Sequence, residues 1–236
     1  MEFYNILSKK YEYIFPKNKK EEEMLAQLIP YNLSFAIDVG CGIGFSVSHL
    51  SNHAEKVIGL DSNQEMIEKA KTKYSNHLFL ATDMRKIDEL QLHDVDVVTC
   101  FGNTLVHINH QDVQAFLSSV YDMLKKGGQF LIQIINYDRI YNEKVTELPI
   151  IDNQEITMKR NYTLYDEHLI FSSKLTDKQS QETFTSRITL YPLFYQQLLS
   201  YLTQANFEVV ESFGGFDMSL YSKDSYATIV HAIKKD

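Results

Sequence analysis

The sequence contains few of the residues that cross-link small folds or interrupt their helices and strands. Its 236 residues contain no tryptophan, two cysteines, four prolines and nine glycines. The two cysteines, Cys41 and Cys100, lie far apart and form neither a CxxC pattern nor a cysteine–histidine pair at ligand spacing. We therefore expect neither a disulfide scaffold nor a metal site.

Positive charge and long apolar runs are also scarce. The formal net charge is −8 with a pI near 5.5, whereas binding to nucleic acid requires a basic face. The longest apolar run, residues 130–135, is interrupted by Gln133, and a membrane helix needs about 20 apolar residues. The first residues show no basic-then-apolar leader. We expect no nucleic-acid partner, no membrane and a cytoplasmic location.

From residue 34 onward, short apolar runs alternate with amphipathic segments. The runs occupy residues 35–39, 56–60, 78–81, 95–100 and 130–135, and the helical segments occupy residues 45–50, 64–74 and 113–124. Two later runs, residues 207–211 and 228–233, could extend the same sheet. This alternation predicts an α/β fold, a Rossmann-like, mostly parallel seven-stranded sheet with helices on both faces. Lys125, Lys126, Gly127 and Gly128 predict the end of the helix before the fifth strand.

The pattern changes after residue 144. Residues 154–165, 168–176 and 183–191 are rich in Thr, Tyr, Ile and Phe with partial alternation, which predicts three antiparallel strands inserted after the fifth strand. We predict one domain over residues 1–236. Its parts are an N-terminal helical cap at 1–30, a ligand-binding core at 34–143, an inserted antiparallel β lid at 144–191, and a C-terminal completion at 192–236 whose helix opens at Pro192.

Tyrosine is abundant, with 15 residues. Seven crowd the part of the chain after the fifth strand: Tyr137, Tyr141, Tyr162, Tyr165, Tyr191, Tyr195 and Tyr221. Aromatic residues are ordinary in strands and cores. The alternative interpretations are a lid whose rings wall an acceptor pocket and an inserted sheet that forms a homo-oligomer interface.

A glycine loop follows the first strand. Gly40, Gly42 and Gly44 are spaced G-x-G-x-G at the start of a helix, where glycine allows close approach of the backbone and free N–H groups face a ligand. Ligands of open α/β sheets bind at the carboxyl ends of the strands, so this loop is expected to form the floor of a pocket. The spacing departs from the dinucleotide fingerprint G-x-G-x-x-G, and no phosphate-binding loop is present.

Three acids follow the predicted strands at this edge of the sheet. Asp38 precedes the glycine loop, where a carboxylate would repel a pyrophosphate but suit a cationic amine. Asp61 ends the second strand, where an acid can accept hydrogen bonds from ribose hydroxyls. Asp83 follows the third strand, where it could accept from an adenine amino group. S-adenosylmethionine (SAM) has the matching amine, ribose and adenine, and no phosphate.

With these motifs the chain resembles a class I SAM-dependent methyltransferase over residues 34–136, and residues 202–207 resemble the family's last helix-to-strand step. The resemblance implies SAM as cofactor. It places Gly40, Cys41 and Gly42 along the methionine part, with Asp38 at the amine, Asp61 and Ser62 at the ribose, and Met66, Asp83 and Met84 at the adenine. Gly44 belongs to the same cofactor-binding loop. It also implies a covering aromatic residue from the N-terminal helix, for which Tyr11 is the candidate.

Two segments resemble the glycine N-methyltransferase branch of the family: Gly-Asn-x-x-x-His at residues 102–107 and Asn-Tyr-Asp at residues 136–138. The resemblance implies that Phe101, Gly102 and His107 line SAM and that Asn103 points its side-chain oxygen toward the acceptor amine. The residues expected to carry catalysis are Asn103, His107, Asn136 and Tyr137, with His107 as an orienting group or general base.

One position departs from that branch. Ile135 stands where the glycine enzymes have an arginine that is expected to hold the acceptor's carboxylate. A bidentate contact is lost there, so glycine is not the expected acceptor, although Arg139 could substitute from the next turn.

The leading hypothesis is an enzyme that transfers methyl from SAM to a nitrogen or oxygen of a small molecule. The alternatives are a tRNA or protein methyltransferase and a SAM-binding regulator without turnover. A NAD-dependent oxidoreductase is disfavoured by the glycine spacing and by Asp38.

Overall fold

The computed structural model describes residues 10–235, which form a seven-stranded sheet and a separate four-stranded sheet. The order of the large sheet is β10-β11-β5-β4-β1-β2-β3. Its strands are β1 Leu33–Val39, β2 Ala54–Asp61, β3 Leu78–Ala81, β4 Val95–Cys100, β5 Leu124–Ile135, β10 Phe207–Phe213 and β11 Ala227–Lys234. Strands β1 to β5 are parallel, and β11 is antiparallel to both of its neighbours. The predicted mostly parallel seven-stranded sheet is confirmed.

Helices cover both faces of this sheet. They are α1 Lys19–Leu28, α2 Phe45–Leu50, α3 Gln64–Lys73, α4 His110–Met123, α5 Tyr137–Asn142 and α6 Tyr195–Gln204, with 3₁₀ helices at Met84–Leu90 and Thr104–His107. Side chains alternate along β1: Ile37 packs in one cluster with α4 and α6, whereas Ala36 packs in another with α1, α2 and α3. Strand β1 is therefore buried on both faces, as its continuous apolar run predicts.

The inserted sheet is fully antiparallel, in the order β6-β7-β8-β9. Its strands are β6 Glu147–Asp152, β7 Ile156–Leu164, β8 Leu169–Asp177 and β9 Thr183–Leu190. The sequence analysis predicts only the last three. Strand β6 was missed because it is a short edge strand that contains Pro149 and leaves Ile150 exposed, so it lacks the pattern of a paired strand.

The inserted sheet is tied to the N-terminal segment. Lys10 Nζ lies 3.1 Å from both Glu155 and Asp177, and Asn153 donates to the Tyr13 carbonyl at 2.9 Å. Ile14 completes a small apolar cluster with side chains of β7 and β8. The N-terminal segment thus holds the inserted sheet against the core. The predicted helical cap at 1–30 includes residues 1–9, which lie outside the described residues.

Two helix ends differ from prediction. Helix α4 ends at Met123, and Lys125 and Lys126 already belong to β5, whose pairing with β4 shifts between Val95 and Val97. The register shift accommodates the two glycines, which therefore lie within the strand. Helix α6 begins at Tyr195 rather than at Pro192, because Asp138 accepts a hydrogen bond from the Tyr195 N–H at 2.8 Å and caps the helix from another part of the chain.

A buried carboxylate joins three strands at the amino end of the sheet. Asp96 in β4 accepts hydrogen bonds from the backbone N–H groups of Ser34 and Phe35 in β1, each at 2.8 Å, and forms an ion pair with Lys125 in β5. These partners hold the pKa of the carboxyl below its usual range even though burial alone would raise it. The charged form is therefore favoured by the native structure.

Among residues 10–235, no helix is long and apolar enough to cross a membrane.

We expect Asp96→Asn to lower the free energy of unfolding by about 1–3 kcal/mol, since two N–H groups and a cation lose their charged acceptor. A depressed pKa contributes stability above the ordinary carboxyl value of about 4 and loses it below. The difference between wild type and variant should therefore shrink as the pH falls through that range. Denaturant unfolding at several pH values measures it, with exposed Asp88→Asn as the control; a difference that is independent of pH contradicts the assignment.

Candidate active site

A cavity of about 640 Å³ lies at the carboxyl ends of the parallel strands. Its floor comes from the loops after β1, β2, β3 and β4, and its opposite wall comes from the inner face of the inserted sheet. One continuous space therefore joins the predicted cofactor loop and the predicted lid.

The glycine loop makes room for a ligand by its backbone geometry. Gly40 and Gly42 have φ of 75° and 52°, in the left-handed region that favours glycine. A Cβ at Gly40 would lie 2.3 Å from Thr104, and one at Gly42 would lie 3.3 Å from the hydroxyl oxygen of Tyr11. Both glycines line the cavity. Glycine at these two positions therefore leaves room for Thr104 and Tyr11, which line the same cavity.

Asp38 is a buried carboxylate beneath this loop. Its residue is 2% exposed, and Thr99 Oγ1 donates to its Oδ1 at 2.7 Å. Burial raises the pKa of Asp38 well above its usual value, and the nearby Glu21 and Asp61 raise it further. No lysine, arginine or histidine in the described part of the chain forms an ion pair with it. Asp38 thus lacks the counter-charge that buried acids ordinarily have.

Asp61 lies at the end of β2 and lines the cavity. Its carboxylate accepts from the N–H of Gly42 at 2.9 Å and from the N–H of Asn63 at 2.8 Å. Burial raises its pKa, which these two bonds partly offset. Each carboxylate oxygen retains accepting capacity, so Asp61 both fixes the glycine loop and offers oxygen atoms to a ligand.

The remaining cavity residues near Asp61 agree in position with the sequence analysis. Tyr11, Ser62, Met66, Asp83, Met84 and Gly102 all line the cavity. The Tyr11 ring packs on Phe15 at 5.2 Å between ring centroids, and burial raises the pKa of its hydroxyl. Asp83 is engaged by the Arg85 guanidinium, which holds its pKa below the usual range. Arg85 also lines the cavity and is absent from the sequence-based site.

Four predicted cofactor residues are not among the residues that line the cavity: Asp38, which lies buried beneath the glycine loop, and Cys41, Gly44 and Phe101. The Cys41 side chain points into the core against Gly59, where burial raises its thiol pKa. Gly44 caps helix α2, where a Cβ would meet Phe79 at 2.9 Å. Phe101 packs edge-on against Phe216, at 5.4 Å between ring centroids. Each of the last three positions is filled by packing of the sheet and its helices.

On the acceptor side the structure divides the four predicted catalytic residues. Asn103 and His107 line the cavity, and His107 has no hydrogen-bond partner among residues 10–235. Desolvation lowers the pKa of His107, which favours the neutral imidazole. The Asn103 oxygen does not point freely at an acceptor, because it accepts from the Ile135 N–H at 3.0 Å; its Nδ2 donates to the Tyr137 hydroxyl at 3.0 Å.

Asn136 and Tyr137 lie behind the cavity wall and are fully buried. Asn136 Nδ2 donates to the carbonyls of Ser222, Lys223 and Ser225 at 2.9–3.2 Å. Its side chain also caps α5. These contacts tie the end of β5 to the loop before β11, and they account for the side chain without any role in chemistry.

The inserted sheet supplies cavity residues that sequence reasoning did not name, except for Tyr162. They are Leu148, Arg160, Tyr162, Phe171, Ile188 and Leu190. Of the seven tyrosines considered for the lid, Tyr162 is the one among the lining residues. The sequence feature that could have revealed these residues is the alternation along β7. Its even-numbered residues face inward, and a single arginine interrupts an otherwise apolar row. Arg139 does not line the cavity; it pairs with Glu143 and lies over the Tyr226 ring.

The chain is similar in sequence to known methyltransferases. Residues 36–128 match a family described as "Methyltransferase domain". A glycine/sarcosine/dimethylglycine N-methyltransferase of Actinopolyspora halophila is 23% identical over 93% of this chain, which spans only 40% of that protein's length. A glycine/sarcosine N-methyltransferase of Aphanothece halophytica is 25% identical over 85% of this chain and 76% of its own.

Solved structures share the fold over nearly the whole chain. A SAM-dependent methyltransferase from Clostridium acetobutylicum matches with a TM-score of 0.82 at 15% identity, covering 100% of this chain and 98% of its own. SAM-bound CalS10, an amino pentose methyltransferase from Micromonospora echinaspora, matches with a TM-score of 0.74 at 16% identity, covering 98% and 97%. Residues 36–128 therefore match a methyltransferase domain, and the chain as a whole has the fold of solved SAM-dependent methyltransferases.

The described residues fit the cofactor of this class, SAM. Asp38 is a buried acid that forms no ion pair with a cation of the described chain, and it lies beside a loop whose two glycines line the cavity. A bound ammonium group would supply the missing positive charge.

We expect Asn136→Ala to lower the free energy of unfolding by about 2 kcal/mol, because three carbonyl groups and a helix cap lose their partner. Affinity for SAM, measured on the folded variant by calorimetry, should change less than about twofold. The control is Asn142→Ala, an exposed position in the same helix. A variant with normal stability and lost methyl transfer would instead place Asn136 in the chemistry.

Proposed function

We propose that this protein transfers the methyl group of SAM to a nitrogen or oxygen atom of a small-molecule acceptor, and that glycine is not that acceptor. The observation that carries the proposal is the single cavity shared by the acid-flanked glycine loop and the largely apolar wall of the inserted sheet. A cofactor-sized space alone would need no such wall. We infer that this wall contacts a second ligand, the methyl acceptor, and that this ligand has an apolar surface.

The proposed cofactor contacts follow from position and charge. Asp38 holds the amine, Gly40 and Gly42 allow close approach of the backbone, and Asp61 with Ser62 holds the ribose. Met66, Met84 and Asp83 flank the adenine, and Tyr11 covers the ligand from the N-terminal segment. Cys41, Gly44 and Phe101 support the loop from behind.

The chemistry asks for alignment more than for reactive side chains. When bound, SAM supplies a methyl group that its positive sulfur has already activated. Holding an acceptor in line with that methyl can account for about 7–11 kcal/mol of the barrier. We propose His107 as the group that receives or orients the acceptor's proton, because it lines the cavity and its lowered pKa favours the neutral base. Asn103 is a positioning residue that fixes the backbone at Ile135.

The acceptor side supports a small molecule other than glycine. Ile135, Tyr162, Phe171, Ile188 and Leu190 make this part of the cavity apolar, and a bare glycine offers no surface to match them. A small-molecule acceptor also agrees with the names of relatives and structural neighbours, which include glycine/sarcosine and amino pentose methyltransferases. The formal charge of −8 disfavours tRNA as the acceptor.

We expect Asp38→Asn to weaken SAM binding about 10- to 100-fold, the loss of a charge-assisted contact in a buried site. The wild-type affinity should rise with pH while Asp38 deprotonates through its raised pKa, and the variant should lose this dependence. Calorimetry measures both. 5′-Methylthioadenosine, which lacks the amine, provides the control: its affinity should not change, and an equal loss for both ligands contradicts the contact.

The same variant has a predictable effect on the ligand-free protein. Because the native state raises the Asp38 pKa, wild type loses stability as the pH rises above the ordinary carboxyl value of about 4 toward the raised value. Asp38→Asn avoids this loss. Its melting temperature without ligand should therefore exceed that of wild type at neutral pH, and a lower one contradicts the electrostatic account.

A panel of amines and phenols incubated with SAM tests the function itself. We expect acceptor-dependent formation of S-adenosylhomocysteine with one or more apolar amines or phenols, and at least tenfold less with glycine at equal concentration. Calorimetry with SAM, S-adenosylhomocysteine and NAD accompanies it. Binding of NAD alone would reject the methyltransferase assignment, and SAM binding without turnover of any acceptor would indicate a regulator.

A further inference from the structure

Arg160 is a charged residue of the cavity lining to which the proposed cofactor contacts give no role. It lies on β7 and faces inward between Met158 and Tyr162. Its register partners are Leu148 on β6 and Ser173 on β8. A cation is therefore set into a row of apolar side chains on the wall opposite the glycine loop.

The guanidinium of Arg160 is incompletely satisfied by the protein. One terminal nitrogen donates to the Pro149 carbonyl at 2.9 Å, while Nε is buried without a hydrogen-bond partner among residues 10–235. No carboxylate in that range forms an ion pair with it, whereas the other cavity arginine, Arg85, is paired with Asp83. Burial lowers the pKa of Arg160, which reports the cost of desolvating an unpaired charge.

A second unsatisfied group lies directly across the strand. The hydroxyl of Ser173 is buried and has no partner within the described chain. It faces the same side of the sheet as Arg160, since the two residues are register partners in β7 and β8. Buried polar atoms are nearly always hydrogen-bonded in native proteins, so this patch of the sheet lacks internal polar partners, and of the two residues Arg160 is the one that lines the cavity.

We propose that Arg160 binds an oxyanion, a carboxylate or a phosphate, carried by the methyl acceptor, so that the acceptor is an anionic molecule with an apolar body. This rests on the proposed function. The guanidinium offers a planar set of donors suited to two oxygen atoms. The charge that Ile135 fails to provide at the end of β5 is thus supplied from the inserted sheet, across Tyr162 and Phe171. The apolar residues hold the body of the acceptor and Arg160 selects its acidic end.

The alternative role for Arg160 is to hold the carboxylate of SAM. In that case the loss of Arg160 would weaken cofactor binding and leave acceptor choice unchanged. The two assignments separate when the affinity for SAM and the selectivity for acceptors are measured on the same variants.

The test compares acceptors that differ only in the acid. Phenylalanine is paired with phenethylamine, tyrosine with tyramine and phosphoethanolamine with ethanolamine, each with SAM, and kcat/KM is measured for wild type, Arg160→Lys and Arg160→Met. The matched control is Arg187→Met, an exposed position on β9. The first two pairs test a carboxylate and the third a phosphate.

In wild type we expect the acidic member of a pair to be preferred, and Arg160→Met to reduce its kcat/KM about 10- to 100-fold, the range for a charge-assisted contact. The neutral member should change less than about threefold, Arg160→Lys should retain part of the preference, and the Kd for SAM should stay within about twofold. A preference for neutral members, an acid preference that survives Arg160→Met, or a loss confined to SAM affinity overturns the proposal.

A binding measurement separates this inference from the proposed function. Phenylacetate and inorganic phosphate are titrated into the complex with S-adenosylhomocysteine by calorimetry. Binding of either that Arg160→Met abolishes and Arg187→Met preserves supports the anion site, even if no panel compound is methylated and the proposed function fails. The absence of Arg160-dependent binding for both overturns the anion site.

Discussion

The Asp38 carboxylate is the constraint on which the rest of this site depends. It is buried at the end of a strand that is covered on both faces, it accepts one hydrogen bond from Thr99, and Asp61 lies close enough to raise its pKa further. An acid in such surroundings is costly to keep ionised. A cationic ligand would remove that cost, so we expect the loop to prefer a positively charged nucleoside to a phosphate.

The backbone next to Asp38 is fixed by hydrogen bonds within the candidate site itself. Gly40 and Gly42 adopt left-handed conformations, and Asp61, which lines the cavity, fixes the loop by accepting from the Gly42 N–H. The N-terminal segment closes the arrangement. Tyr11 reaches over Gly42, while Lys10 and Ile14 in the same segment bind the inserted sheet. Cofactor side and acceptor side are therefore linked through one short stretch of chain.

Prediction from the sequence succeeded where local pattern reports burial. Strands β3 and β4 were placed with the bounds that the structure has, because residues buried on both faces form continuous apolar runs bounded by turns. It failed where partners are distant. Strand β6 contains a proline and an exposed isoleucine, and only pairing with β7 makes it a strand. Helix α6 begins where Asp138, 57 positions earlier in the chain, caps it.

The candidate site divides in the same way. The glycine loop and the acids at the ends of β1, β2 and β3 could be recognised in the sequence, because the carboxyl ends of parallel strands meet at one edge of the sheet. The inward-facing residues of the inserted sheet could not be recognised in this way. The alternation along a strand shows which residues share a face, but it does not show which part of the protein that face will contact. Asn136, named for chemistry, proved to be the buried tie between β5 and the loop before β11.

The fold class and the kind of cofactor were predictable from the sequence, because both depend on local periodicity and on charges at strand ends. The side chains that reach the cavity, and the cation that remains unpaired there, depend on contacts formed in the folded chain. Whether Arg139 or Arg160 faces an acceptor depends on contacts between segments far apart in the chain: Glu143 and Tyr226 hold the first away, and the pairing of β7 with β6 and β8 carries the second to the cavity wall.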